Sequence, residues 1–197
     1  MLKLYLAKIN QDLCKHKISL ALKKEIKQYQ NKNAQLQKIA SYLLLNRVLE
    51  LNNIKSVRIK TNKYGKPYVL GNPIYFNISH NQKNVICGIS DKPIGVDIET
   101  INPRIKTISK VLLSPNEQKT YIRASNTKLT QIWTLKEATA KLLGTGLTKR
   151  LNSLELDNLV IDNKKIFTNS YLHAGAYIAI ASYATIKKFP KIVNIKL

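Results

Sequence analysis

Asp97 and Glu99 stand two residues apart in the run Gly95-Val96-Asp97-Ile98-Glu99. Read as a strand, the run turns Val96 and Ile98 to one face and both carboxylates to the other. Two ionised carboxylates on one face repel each other unless a cation lies between them. A second group lies in Trp133-Thr134-Leu135-Lys136-Glu137-Ala138-Thr139-Ala140-Lys141, which reads as helix. Glu137 and Lys141 are four apart there and share a helical face. Three carboxylates with a neighbouring lysine can hold Mg²⁺ and a phosphate ester together, because Mg²⁺ takes oxygen ligands and substrate phosphates. The bland alternative makes Asp97 and Glu99 solvated strand residues and Glu137–Lys141 an ordinary surface ion pair.

The surrounding pattern supplies elements to position these groups. Residues 2–9 alternate like an edge strand, and residues 20–29 form a lysine-rich helical pattern through Lys23, Lys24 and Lys27. A second helix over 34–51 carries Leu36, Ile39, Leu43 and Val48 as its apolar face. Residues 57–60 alternate as a short strand that breaks at the turn Asn62-Lys63-Tyr64-Gly65-Lys66-Pro67. Residues 74–79, 85–90 and 94–99 read as strands joined by short polar turns, which predicts an up-down-up antiparallel meander. That arrangement brings Ser79 and His80 to the same sheet edge as Asp97 and Glu99, within reach of one ligand. Further on, Ser114-Pro115-Asn116-Glu117 has the form of a capping box with proline at the first helical position. A helix over 129–143, burying Ile132, Leu135, Ala138 and Leu142, stops at Gly144-Thr145-Gly146. The remainder, through Leu154, Leu156, Ile166, residues 177–183 and residues 192–195, reads as strands. Helices followed by strands in each half hint at duplication, without an alignable repeat.

The totals exclude several classes. A chain of 197 residues that is 44% hydrophobic can bury a core and is not disordered by composition. Cys14 and Cys87 make neither a disulfide framework nor a metal set. The first residues lack a signal-peptide apolar run, and no run approaches the roughly 20 residues that span a bilayer. A cytoplasmic protein with no membrane association is expected. The 33 Lys+Arg against 11 Asp+Glu, net +22, favour an anionic partner. Because the lysines are spread along the chain, part of that excess reads as compositional bias.

Taken in order, Gly65-Lys66-Pro67, Phe76-Asn77-Ile78-Ser79-His80, Gly95-Val96-Asp97-Ile98-Glu99 and Trp133-x-x-Lys136-Glu137-Ala138-x-x-Lys141-x-x-Gly144-x-Gly146-Leu147 resemble the Sfp-type 4'-phosphopantetheinyl transferases, in the branch with a Trp…Lys-Glu-Ala signature. Leu113-Ser114-x-x-Glu117 matches a weaker element of the same family. The resemblance implies an α+β fold, a pseudo-twofold pair of similar α+β halves (residues 1–92 and 93–197) with coenzyme A in the cleft between them. It implies Mg²⁺-dependent transfer of phosphopantetheine to a serine of an acidic acyl or peptidyl carrier protein, with release of 3',5'-ADP. Asp97, Glu99 and Glu137 would be the metal ligands, and Glu137 also the best candidate for taking the serine proton. Lys141 would neutralise the leaving phosphate, while Lys66, Pro67, Ser79 and His80 would hold the nucleotide end. One departure concerns the second helix, where the family usually places an arginine about a turn before a small residue. Here Gln37 and Lys38 precede Ser41, so Lys38, or Lys23 and Lys24, would substitute and lose the bidentate fork. Trp133 reads as packing, and Lys136 as a salt-bridge or carrier-facing charge. Together with Lys149 it is the first choice, over Lys187-Lys188, for steering an acidic carrier.

Two alternatives account for the charge: a metal-dependent nuclease, and a basic nucleic-acid-binding domain without chemistry. The first leaves Ser79-His80 and Trp133 unexplained. The second needs aromatic platforms interleaved with lysines, whereas the 10 tyrosines are scattered, so no specific nucleic-acid partner is expected. A chain with both halves can supply both walls of its own cleft, which predicts a monomer.

Overall fold

Alternating aliphatic and polar residues build some strands and near-continuous apolar runs the most buried ones, and side-chain caps start the longer helices. The computed structural model describes residues 1–55, 57–71, 74–145 and 151–197. Strand β1 (Leu2–Lys8) leads through a 3-10 turn to helices α1 (Leu20–Ile26) and α2 (Lys32–Leu51). The hairpin β2 (Arg58–Thr61) and β3 (Pro67–Leu70) follows, then β4 (Tyr75–His80), β5 (Asn84–Ser90) and β6 (Ile94–Thr100). Next come α3 (Ser109–Leu112), α4 (Pro115–Tyr121) and α5 (Asn126–Leu143). The chain ends in β7 (Val160–Ile161), β8 (Lys164–Lys165), β9 (Phe167–His173), β10 (Ala176–Ser182) and β11 (Ile192–Ile195). The fold is mixed α+β. Gly146-Leu147 of the last motif and Lys149 lie outside the described residues.

The caps are those expected. Ser114 Oγ accepts from Glu117 N while Glu117 Oε2 accepts from Ser114 N, closing the capping box of α4. Gly144, at φ 68°, ends α5 in the left-handed region.

The pairing of the three central strands differs from the meander. One sheet has the order β11-β1-β5-β4 and a second the order β6-β10-β9. β5 already has β4 on one side and β1 on the other, so β6 crosses into the second sheet and pairs antiparallel with β10. β1 is likewise interior rather than an edge strand. Leu4, Tyr5, Leu6 and Ala7 are all buried, and β11 returns to cover its free side in parallel. Leu154 and Leu156 are not in strands. Leu154 is buried between two short 3-10 turns, Leu151–Ser153 and Leu156–Asn158, since an apolar side chain can be covered beneath a loop without extended backbone.

Four layers result. α2 covers one face of the first sheet, with Ile39, Leu44 and Val48 in one core with Tyr5, Val85, Cys87 and Ile89. The other face, through Leu4, Leu6 and Ile86, packs on Val96, Ile98, Ile178 and Ile180 of the second sheet. α5 covers the far side of that sheet, where Ala138 and Leu142 meet Ala179 and Ala181. Along one side the sheets meet, and β4 runs beside β6.

Gly95 sets how closely α5 approaches β6. A Cβ there would lie 2.0 Å from Ala138 O and 2.4 Å from Leu142 N, both backbone atoms that no rotamer change can move. Gly95→Ala is therefore expected to cost about 3 kcal/mol, at the upper end for overpacking, measured by denaturant unfolding. Gly88→Ala, which meets only side-chain atoms of Val96, Ile94 and Leu4, should cost less.

Candidate active site

The strand ends meet where the sheets join. Ser79 near the end of β4 and Asp97 on β6 are 4% and 2% exposed, and Ser79 Oγ donates to Asp97 Oδ1 at 2.7 Å. From α5, Lys141 Nζ donates to Ser79 Oγ at 2.7 Å and pairs with Asp97 Oδ1 at 2.6 Å. The i,i+4 relation of Glu137 and Lys141 thus serves to place both over β6, and the ammonium goes across to Asp97. The meander would have joined Ser79 to Asp97 within one sheet; they meet instead at the junction of two.

The carboxylates carry more negative charge than the described cations neutralise. Asp97 Oδ2 and Glu137 Oε1 are buried with no hydrogen-bond partner. Burial, then the Asp97 charge, pushes Glu99 up to about 7 and Glu137 up to about 6, with Lys141 opposing both. Trp133 also opposes the rise of Glu99, because its Nε1–H donates to Glu99 Oε1 at 3.4 Å. Trp133 therefore touches the site rather than serving packing alone. Orphaned hard oxygens in a negative, water-poor site fit a cation such as Mg²⁺. Among the described residues no three carboxylate, imidazole or thiol groups already form a ligand set, and Lys141 holds the Asp97 oxygen facing Ser79.

His80 lies at the mouth of this cluster. Desolvation holds its pKa below the ordinary value, followed by the Lys141 charge, with a smaller contribution from Lys38. Gln37, where the family's arginine is expected, reaches the turn after His80 and donates from Nε2 to Asn81 O at 3.1 Å. Lys38 pairs with Glu25 of α1. Lys24 is exposed on α1, and among the described residues no hydrogen bond or ion pair ties it to the cluster. Lys66 takes another position. Its Nζ donates to Leu142 O at 3.0 Å and its loop partner Asn62 donates to Gly144 O at 2.9 Å, so the β2–β3 turn caps the C-terminus of α5. Burial brings Lys66 down to about 8, and with Pro67 it borders a cavity of about 190 Å³ beside Tyr75 and Phe76. A cavity of about 640 Å³ lies off the other face of β6 at Ile98 and is lined by none of Asp97, Glu99 and Glu137.

Lys136 is not a carrier-facing charge. It is fully buried and pairs with Glu117, also donating to Leu112 O at 2.8 Å and Leu151 O at 3.2 Å. The position is buried because Leu129, Ile132, Lys136 and Thr139 share one inward stripe of α5.

Residues 93–185 match the 4'-phosphopantetheinyl transferase superfamily. They hold Asp97, Glu99, Glu137 and Lys141, while Lys66, Ser79 and His80 precede them. The chain is 36% identical over 126 residues to the 4'-phosphopantetheinyl transferase gsp of Aneurinibacillus migulanus, a match covering 60% of this chain and 50% of that protein. It is 34% identical over 105 residues to the 4'-phosphopantetheinyl transferase Sfp of Bacillus subtilis (strain 168), covering 51% and 47%. A further Bacillus subtilis 4'-phosphopantetheinyl transferase is 35% identical over 99 residues, covering 48% and 44%. The chain thus spans about half the length of the curated relatives it matches. The resemblance drawn from the motifs stands, and the phosphopantetheinyl transferase relatives do not favour the nuclease or nucleic-acid-binding alternatives. Among the described residues no helix is long and apolar enough to cross a membrane.

Proposed function

We propose that this chain transfers the 4'-phosphopantetheine arm of coenzyme A to a serine hydroxyl of an acyl or peptidyl carrier protein, with release of 3',5'-ADP. The observation that carries this reading is the Ser79–Asp97–Lys141 cluster with its orphaned carboxylate oxygens, lying largely within the superfamily segment. Phosphoryl transfer needs positioning and charge neutralisation more than covalent chemistry, and the cluster offers both. Asp97, Glu99 and Glu137 would hold Mg²⁺, which when bound supplies polarisation of the pyrophosphate. Lys141 would neutralise the leaving phosphate, and His80 and Ser79 would hold the nucleotide end. As the serine oxygen bonds to the pantetheine-side phosphorus and the pyrophosphate bond breaks, Glu137 takes the serine proton through a water. Lys38 stands nearest the place of the family's arginine, and Lys24 is the remoter candidate. Lys66 and Pro67 would bear on coenzyme A only from the end of α5.

The same reading takes the two sheet-and-helix units as the halves of a pseudo-twofold pair, with coenzyme A in a cleft between them. It makes the protein a cytoplasmic monomer with an acidic carrier as partner. Mass spectrometry of an apo carrier protein incubated with coenzyme A, Mg²⁺ and this chain is the direct test. A phosphopantetheine arm on the carrier serine is expected, and an unmodified carrier would overturn the proposal.

A metal-free check follows from the raised carboxylates. Between an unfolded value of 4.5 and folded values of about 6 for Glu137 and about 7 for Glu99, the folded chain binds more protons than the unfolded one. Stability without metal should therefore fall as pH rises through this window, and Glu99→Gln should flatten the fall. Mg²⁺ at pH above 7 should raise the melting temperature, because it binds the ionised folded form. A melting curve indifferent to Mg²⁺ in the wild type would count against the metal assignment.

A further inference from the structure

Between β4 and β6 the backbone forms no ladder. Among the described residues β4 pairs only with β5, and β6 only with β10, yet the two strands lie side by side. Side chains of alternate residues close the gap. Asn77 Oδ1 accepts from Val96 N at 2.8 Å, Ser79 Oγ donates to Asp97 Oδ1 at 2.7 Å, and Asn81 Nδ2 donates to Thr100 Oγ1 at 3.2 Å. The period of two places Asn77 and Ser79 of β4, and Asn81 just beyond it, on one face, and all three are buried, Asn77 at 4% exposure. The contacts advance together along both strands, so β4 and β6 run parallel.

Each bond has a different task. Val96 N–H is buried and turned away from β10, and a buried backbone donor must find an acceptor. The Asn77 carboxamide supplies it, standing in for the missing ladder bond one residue before Asp97. Ser79–Asp97 belongs to the candidate active site itself, and Asn81–Thr100 lies at the outer end. We infer that Asn77 is a positioning residue: by binding Val96 N–H it fixes the register of the carboxylate strand against β4 and so holds Asp97 opposite Ser79 and Lys141. The consequence for catalysis rests on the proposed transferase reading, whereas the register itself does not. Nothing in the motif Phe76-Asn77-Ile78-Ser79-His80 requires Asn77 to touch substrate, and its side chain is committed to the strand junction.

The test pairs amide hydrogen exchange with kinetics. Asn77→Ala removes the acceptor, so exchange at Val96 should quicken about tenfold or more while Ala179 and Ala181, opposite Asp97 and Gly95 on the β6–β10 pair, stay protected. Asn77→Asp keeps an acceptor oxygen and should retain slow exchange. Asn77→Thr suits a strand but is too short to reach Val96, and gives the same exchange and kinetic reading should the alanine variant fail to fold. With apo carrier and coenzyme A, Asn77→Ala and Asn77→Thr should lose about 10–100-fold in kcat, the range for residues that orient a ligand without touching substrate. The KM for the carrier should stay near the wild-type value, and Asn77→Asp should recover part of kcat. Unchanged exchange at Val96 would overturn the inference. So would faster exchange at Val96 with an unaltered kcat, since the register would then not reach Asp97. A wild type that does not modify the carrier would overturn the transferase reading alone, and exchange at Val96 would still decide whether Asn77 holds the strand.

Discussion

Glu137→Gln is expected to lose about 10²–10⁴-fold in transfer, the range for removing a positioned acid–base or electrostatic group, while the protein becomes no less stable. The two expectations share one cause. Glu137 Oε1 is buried with no partner, and its carboxyl is pushed up to about 6 by burial and the Asp97 charge. Near neutral pH without metal, its ionised form works against the fold. The amide has nearly the same shape and no charge, so the metal-free variant should melt at or above the wild-type temperature. Asp97 is different, because it already has the Lys141 ammonium and the Ser79 hydroxyl as partners. Asp97→Ala should lose comparable activity and also stability, since it leaves a half-buried ammonium without its counter-charge. Transfer assays at saturating Mg²⁺, run beside thermal melts, separate the two variants. Substantial activity in either would remove that residue from the proposed machinery. A Glu137→Gln protein much less stable than wild type would show that the carboxylate is satisfied in solution by a partner the structure does not reveal.

The local elements were legible because their signals are local. Ser114 and Glu117 announce the start of α4 within four residues, and Gly144 ends α5 in the left-handed conformation that glycine adopts more readily than other residues. The choice of strand partner was not legible. The Asp91-Lys92-Pro93 connection is as short as a hairpin turn, so β5 and β6 look like neighbours. Yet β6 finds its partner at residues 176–182 and β5 finds β1, pairings decided by packing of distant apolar faces. Ser79 and Asp97 do meet, but across the junction of two sheets and not within one meander. Asn77 and Ser79 alternate with Phe76 and Ile78, a pattern that by itself reads as a solvated strand face; their burial against β6 is set by tertiary packing that no short window displays. The resemblance puts Lys66 with the nucleotide end, and its ammonium sits on the carbonyl end of α5, a contact across 76 residues that no short window displays.

Lys136 reads as a surface charge because lysines are seldom buried, although its spacing from Leu129 and Ile132 marks an inward position. Lys136→Met should lower stability by about 3–5 kcal/mol, the usual cost of breaking a buried pair by removing one partner. For a chain of this size that corresponds to a fall in melting temperature on the order of 6–20 °C. The reason is what remains. Glu117 would stay buried, its oxygens still accepting from Ser114 N at 2.8 Å and Leu156 N at 3.1 Å but facing no cation. Leu112 O and Leu151 O would also lose their donor. Since these partners come from α3, α4 and the segment after 150, the loss should loosen all three against α5. Glu117→Gln alone should be harmful for the mirror reason, leaving a buried ammonium. The double variant Lys136→Met/Glu117→Gln removes both charges and should be more stable than the sum of the singles predicts, with a coupling of about 2 kcal/mol or more. Added KCl should scarcely alter these differences, because a pair excluded from water is little screened. The KM for an acidic carrier should be unchanged in any variant that remains folded. A fall of only one or two degrees in Lys136→Met, together with a salt-dependent rise in that KM, would return Lys136 to the surface role its residue type suggests.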